Sequence, residues 1–201
     1  TDFLREEGSA KNKGAGLSAE AIFDLNYAIK GYEPERRFWV NGLLGASLAR
    51  HKYEGIDEVL TYGWGVALQP NLRLNKDVSW FLEPRVDVMK NTDNVYGATS
   101  GSWAVVPSLL TGVNIHNGSN LKTLRERNAQ FTHATVYDHL FIEGAMGAYF
   151  SGRQYGMLFS NPLSQARPKF YAAIGKWFTP TSGMRIWGDV NKPKGDKTGE
   201  H

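Results

Sequence analysis

The sequence predicts an all-β protein: a transmembrane antiparallel β-barrel of about eight strands, with short periplasmic turns and longer extracellular loops. Three observations carry that expectation. Apolar residues alternate with small or polar ones at period two, over stretches that helical spacing does not explain. The connections between those stretches alternate between short and long. No apolar run approaches the roughly 20 residues that a membrane helix needs, although 12% of the residues are aromatic and 22 are glycine. Only 41% of the 201 residues are hydrophobic, which suits strands with one apolar and one polar face.

In chain order, the first strand is expected at 21–30 (AIFDLNYAIK), with Phe23, Leu25 and Tyr27 outward. The second is expected at 38–51, with Val40, Leu44 and Leu48 outward and Gly45 inward. Residues 62–74 (YGWGVALQPNLRL) alternate most strictly. Tyr62, Trp64, Val66, Leu68, Pro70, Leu72 and Leu74 share one face, and Gly63, Gly65, Ala67, Gln69, Asn71 and Arg73 the other. That length exceeds a usual soluble strand and matches a tilted spanning one.

After the turn Asn75-Lys76-Asp77 the pattern resumes at 78–89. Val78, Trp80, Leu82, Pro84, Val86 and Val88 face out, and Ser79, Phe81, Glu83, Arg85 and Asp87 face in. Pro84 removes a ladder donor and predicts a bulge or bend. Four more strands follow at 103–115, 139–151, 169–178 and 183–191. Their outward sets are Trp103, Val105, Leu109, Val113; Ile142, Met146, Phe150; Phe170, Ile174; and Met184, Ile186, Val190. Gly112, Gly147 and Gly175 face in, as a narrow filled lumen requires.

Gly31–Arg37, Asn75–Asp77 and Thr179–Ser182 are the short turns; His51–Thr61, Asn91–Ser102 and Ser151–Pro168 are the longer loops. By parity 116–138 lies on the short-turn side despite its length, and reads as a linker or a short helix over NLKTLRERNAQF. The whole of 1–201 is thus one barrel domain, with five strands over 21–115, the linker 116–138 and three strands over 139–191. Aromatics near strand ends (Tyr32, Phe38, Trp39, Trp80, Trp103, Tyr137, Trp177, Phe178, Trp187) are expected to form interfacial girdles.

The inward charged set is Asp24, Arg73, Glu83, Arg85, Asp87, Glu143, Arg185 and Asp189. It reads either as a polar lumen that passes small ions or as paired charges that plug the barrel. Eight strands enclose a space just wide enough for side chains, which favours the plug. Glu83 and Arg85, two apart on one strand face, are its expected centre. Loop residues Tyr53, Tyr96, Trp103, Tyr155, Met157 and Phe159 would cover the barrel mouth or bind a glycan or partner.

Other chemistries find little support. Twenty-three basic and 20 acidic residues give a net charge of +3 without a basic stripe, so no nucleic-acid partner is expected. There is no cysteine, hence no disulfide or thiolate metal site. His51, His116, His133, His139 and His201 lack zinc-motif spacing. Ser47 and Ser151 are candidate nucleophiles, but spacing does not bring them to His51 or His139. Neither catalytic residues nor a cofactor or metal are expected.

The segments YDHLFIEGAMGAYFSG and KFYAAIGKWFTPTSGMRIWG resemble the opening strands of outer-membrane β-barrel proteins of the Bacteroidota, related in architecture to the OmpA-type barrel. The turn Gly175-Lys176-Trp177-Phe178-Thr179-Pro180 followed by Gly183-Met184-Arg185 carries that resemblance. AIFDLNYAIKGYEPERRFWVNGLLGASLAR and NLRLNKDVSWFLEPRVDV resemble the family's later strands. The order is inverted here, late strands before early ones. The chain is therefore either the middle of a tandem pair of barrels or a rearranged single barrel closed by pairing 183–191 with 21–30. Closure is preferred, because an open sheet in lipid leaves unpaired edges.

The resemblance implies a non-enzymatic outer-membrane protein: a structural envelope component or an accessory subunit of a surface complex. Its partners would be outer-membrane lipid, lipopolysaccharide and other envelope proteins. The alternatives are a small porin of weak conductance, a lipocalin-like ligand carrier and a lipid-modifying barrel enzyme.

Overall fold

The computed structural model describes residues 13–31, 36–52, 59–90, 103–116, 139–150 and 166–191. The fold is all-β. Strands β1 (Lys13–Asp24), β2 (Phe38–Lys52), β3 (Val59–Arg73), β4 (Val78–Lys90), β5 (Trp103–His116), β6 (Leu140–Phe150), β7 (Ala166–Trp177) and β8 (Ser182–Asn191) form one closed barrel. Every neighbouring pair is antiparallel, and β1 pairs with β8 to close it, from Gly14 opposite Asn191 to Phe23 opposite Ser182. No sheet edge is left among these strands, so closure within one chain holds.

Alternation sets which side chains enter. In β4, Phe81, Glu83, Arg85, Asp87 and Met89 are buried, while Trp80, Pro84 and Val86 are exposed. Outward positions elsewhere are apolar and open, including Leu44, Val66, Leu109, Ile142, Ile174 and Ile186, each more than 40% exposed. The barrel wears its greasy residues outside and encloses polar ones.

The first strand differs from expectation. It begins at Lys13 and ends at Asp24, and residues 25–30 form a short helix, α1 (Leu25–Lys30). Asp24 caps it: Oδ1 accepts from the backbone N–H groups of Asn26 at 3.0 Å and Tyr27 at 3.2 Å. Leu25 and Tyr27 therefore lie on a helix rather than on a strand face. The helix packs outside the wall, where Leu25 covers Gly42. Asn26 Oδ1 accepts from Val40 N–H at 2.7 Å, a donor that β1 no longer reaches. Gly31 ends the helix at φ +75°, a conformation glycine adopts freely.

Pro84 does not make a bulge. The β3–β4 pairing lapses between Ala67–Arg85 and Asn71–Phe81, then resumes in unshifted register, so no residue is inserted. Pro70 and Pro84 both lie in this gap. Side chains bridge it on the inner side, where Gln69 Nε2 donates to Glu83 Oε2 at 3.3 Å.

Two short turns are built as expected. Asn75 Oδ1 accepts from the N–H groups of Asp77 and Val78, both at 2.8 Å. Thr179 Oγ1 accepts from Thr181 and Ser182 N–H at 3.2 and 2.9 Å. The girdle is only partly outward. Phe38, Trp80, Trp103 and Phe178 are exposed, but Trp187 is buried and Trp177 packs against the interior cluster of Ile22, Leu43, Ala67 and Phe141. Strand parity sends them in. Tyr32, Tyr137, the linker beyond His116 and the loop residues Tyr53, Tyr96, Tyr155, Met157 and Phe159 lie outside the described residues.

Candidate functional site

The centre of the lumen holds a buried ionic network. Arg185, from β8, is its hub. Its Nε donates to Glu20 Oε2 at 2.8 Å and its Nη2 to both carboxylate oxygens of Glu83 at 2.9 and 3.0 Å. Its Nη1 donates to Glu143 Oε2 at 2.5 Å and to Tyr171 Oη at 3.3 Å. Arg85, from β4, is the second hub. Its Nε donates to Asp87 at 2.8 and 3.0 Å, its Nη1 to Glu83 Oε1 at 3.2 Å, and its Nη2 to Glu20 Oε1. A guanidinium presents five donors in a fixed fork, so two arginines can tie together four carboxylates.

Neutral side chains complete it. Gln69 donates to Glu83 and to Glu143, both at 3.3 Å, and accepts from Asn41 Nδ2 at 3.0 Å. Asn114 Nδ2 donates to Glu143 Oε1 at 2.9 Å. Tyr171 Oη lies 3.2 Å from Glu83 Oε2 and 3.4 Å from Glu143 Oε2. All eight strands contribute: Glu20 from β1, Asn41 from β2, Gln69 from β3, Glu83 from β4, Asn114 from β5, Glu143 from β6, Tyr171 from β7 and Arg185 from β8. The network is a cross-brace spanning the cylinder.

It is also sealed. Arg185, Glu83, Glu20, Glu143 and Gln69 are each no more than 1% exposed. Toward the short turns, Ile22, Leu43, Phe81 and Phe141 are buried and apolar, whereas Asn41, Asn71, Ser79 and Asn114 are buried and polar. On the other side Trp187 closes over Arg85, with Cζ 4.9 Å from the ring centroid. The bonded side chains fill the lumen at this level. The bonded geometry matters energetically, because charges taken out of water must be paired and hydrogen-bonded to persist.

The expected charged set divides. Glu83, Arg85, Asp87, Glu143 and Arg185 come together. Asp189 is buried too, but two rows farther from the hub, paired with Gly16 on β1. Arg73 stands at the end of β3, its guanidinium 5.6 Å over the Trp39 ring, apart from the network. Asp24 is a correction: it caps α1 and lies 3.6 Å from Arg36 Nη1, not in the lumen network. Charge and parity suggested it, but the strand ends there and its carboxylate meets helix N–H groups instead.

Glu20, Asn41, Gln69, Asn114 and Tyr171 were missed. Carrying the parity of Ile22 back two residues reaches Glu20, a signal hidden by starting the strand at 21. Gln69 and Tyr171 lie on inward faces but carry no formal charge. Among the described residues a serine and a histidine also meet: Ser79 Oγ is 3.3 Å from His116 Nε2. Ser79 faces the lumen and is 1% exposed. Comparison with protein-family models finds no match, and comparison with curated proteins finds none.

Proposed function

We propose that this chain is a non-enzymatic outer-membrane barrel that stabilises the envelope or serves as an accessory subunit of a surface complex. One observation carries the reading: a closed eight-stranded cylinder whose mid-strand outer residues are apolar and exposed while its axis holds an ion-paired brace. In water, side chains such as Leu68, Trp64, Ile142 and Phe170 would sit unburied around the whole wall, well beyond the patch a soluble monomer tolerates. In hydrocarbon the same wall is satisfied. A lipocalin-like carrier needs an apolar cavity inside; here the mid-lumen is charged and filled. The buried position of Ser79 is a poor one for attack on a lipid chain. Bacterial outer-membrane residence, and a relation to the Bacteroidota barrels, rest on the resemblance in the sequence.

Two measurements test this. The purified chain should stay monodisperse only in detergent or lipid; a stable monomer in plain buffer would overturn the membrane reading. In planar bilayers it should give no steady ion current, and regular single-channel steps would favour the porin alternative.

A further inference from the structure

Beside the ionic brace, toward the end where β1 begins, the lumen opens into a cavity of about 40 Å³. Small inward residues make the space. Ser18 and Ser47 are register partners across β1 and β2, Gly16 and Ala49 are partners one row on, and all four line it. Ser18 is 3% exposed, and neither its hydroxyl nor that of Ser47 has a hydrogen-bond partner among the described residues. A buried hydroxyl left unbonded costs on the order of 1–3 kcal/mol, so two of them lining one cavity point to an occupant that bonds them.

The charge around the cavity selects the sign of that occupant. Asp189 lies back against Gly16, and Asp87 against Gly65, each where a β-carbon would strike the carboxylate. Both carboxylates line the cavity, with Lys169 the one cation among its described lining residues, its Nζ 4.6 Å over the Trp187 ring. Counted with the adjoining brace, the buried charged groups among the described residues are Glu20, Glu83, Asp87, Glu143 and Asp189 against Arg85, Arg185 and Lys169, an excess of carboxylates. The other wall is apolar: Met89, Val106 and the ring of Tyr149. A water needs roughly 10–15 Å³ on this measure, so the space suits a solute of about three heavy atoms.

We propose that this cavity binds a small primary amine as its ammonium ion, with the ammonium between Asp189, Ser18 and Ser47 and the short alkyl part against Met89 and Val106. An anion would meet two carboxylates. A bare alkali ion would leave the apolar wall unused. The site lies inside the wall, so the inference stands apart from the membrane reading.

The test titrates the full chain in detergent micelles with ethylammonium chloride, following backbone amide resonances by NMR. Ethanol, sodium acetate and sodium chloride serve as probes of matched size or ionic strength. Saturable shifts centred on Ser18, Ser47 and Asp189 are expected with ethylammonium alone. Asp189→Asn should weaken binding about tenfold, the order expected for one charge-assisted hydrogen bond. Ser47→Leu, which fills the cavity, should abolish it. If Ser47→Leu loses the strand signature in circular dichroism, Ser47→Ala takes its place with a smaller expected loss. Equal shifts with ethanol or sodium chloride, or no saturable shift, would mean the cavity holds water only and would overturn the proposal. Unchanged affinity in Asp189→Asn would do the same.

Discussion

Arg185 and Glu83 stand 102 residues apart in the chain and meet across the lumen, one guanidinium nitrogen 2.9 and 3.0 Å from the two carboxylate oxygens. They come from β8 and β4, strands on opposite sides of the cylinder. The contact therefore ties together walls that share no backbone hydrogen bond. Ladder bonds hold each strand to its neighbours; this pair holds the circle across its diameter.

Removing the hub should be costly. Arg185→Met leaves Glu20, Glu83 and Glu143 without their main partner, and breaking a buried pair from one side costs about 3–5 kcal/mol. Equilibrium urea unfolding in micelles or bilayers reads this directly. Adding Glu83→Gln to Arg185→Met should recover part of the loss, because one stranded charge is then gone. A double variant no more stable than the single one would contradict that account.

The outer wall offers a depth test. Val66 is the middle residue of β3 and faces outward, whereas Leu74 lies just past its end. In a bilayer Val66→Arg should cost about 2–4 kcal/mol and Leu74→Arg about 0–1 kcal/mol. Equal costs at the two positions would argue against a membrane around the wall.

Gly175 is a packing requirement. It pairs with Phe141 across β6 and β7, and a β-carbon there would run into the Phe141 ring. Gly175→Ala should destabilise by about 1–3 kcal/mol, the usual range for overpacking. Phe141→Leu in the same chain should relieve much of it. A double-mutant cycle measures the coupling, and strict additivity would mean the ring is not the obstacle.

Asp24→Ala removes the cap of α1 and should cost about 0.5–2 kcal/mol. Amide exchange should quicken at Asn26 and Tyr27, whose N–H groups the carboxylate accepts. Unchanged exchange at both would show that the cap contributes little.

Much of the fold was legible because a barrel strand writes its environment at period two. Val66 and Gln69 fall on opposite faces by counting alone, and the structure exposes one and buries the other. Charge and parity together also picked out Glu83, Arg85, Asp87, Glu143 and Arg185. Counting failed where the backbone changed state. Phe23, Leu25 and Tyr27 continue an alternating pattern through Asp24, yet a local carboxylate cap turned the chain into a helix. The true start of β1, with Gly14, Gly16 and Ser18, has few strong strand formers and borrows its conformation from β2 and β8 on either side.

The linear sequence by itself determined the class of fold, the inward and outward faces of most strands and the charges enclosed, since each follows from alternation along a single strand. Tertiary structure alone decided which of those charges meet. Glu20, Gln69, Asn114 and Tyr171 join the brace because closing eight strands brings distant inward positions to one level of a narrow lumen. Register, not local composition, sets that level, and the same closure leaves Asp24 and Arg73 outside it.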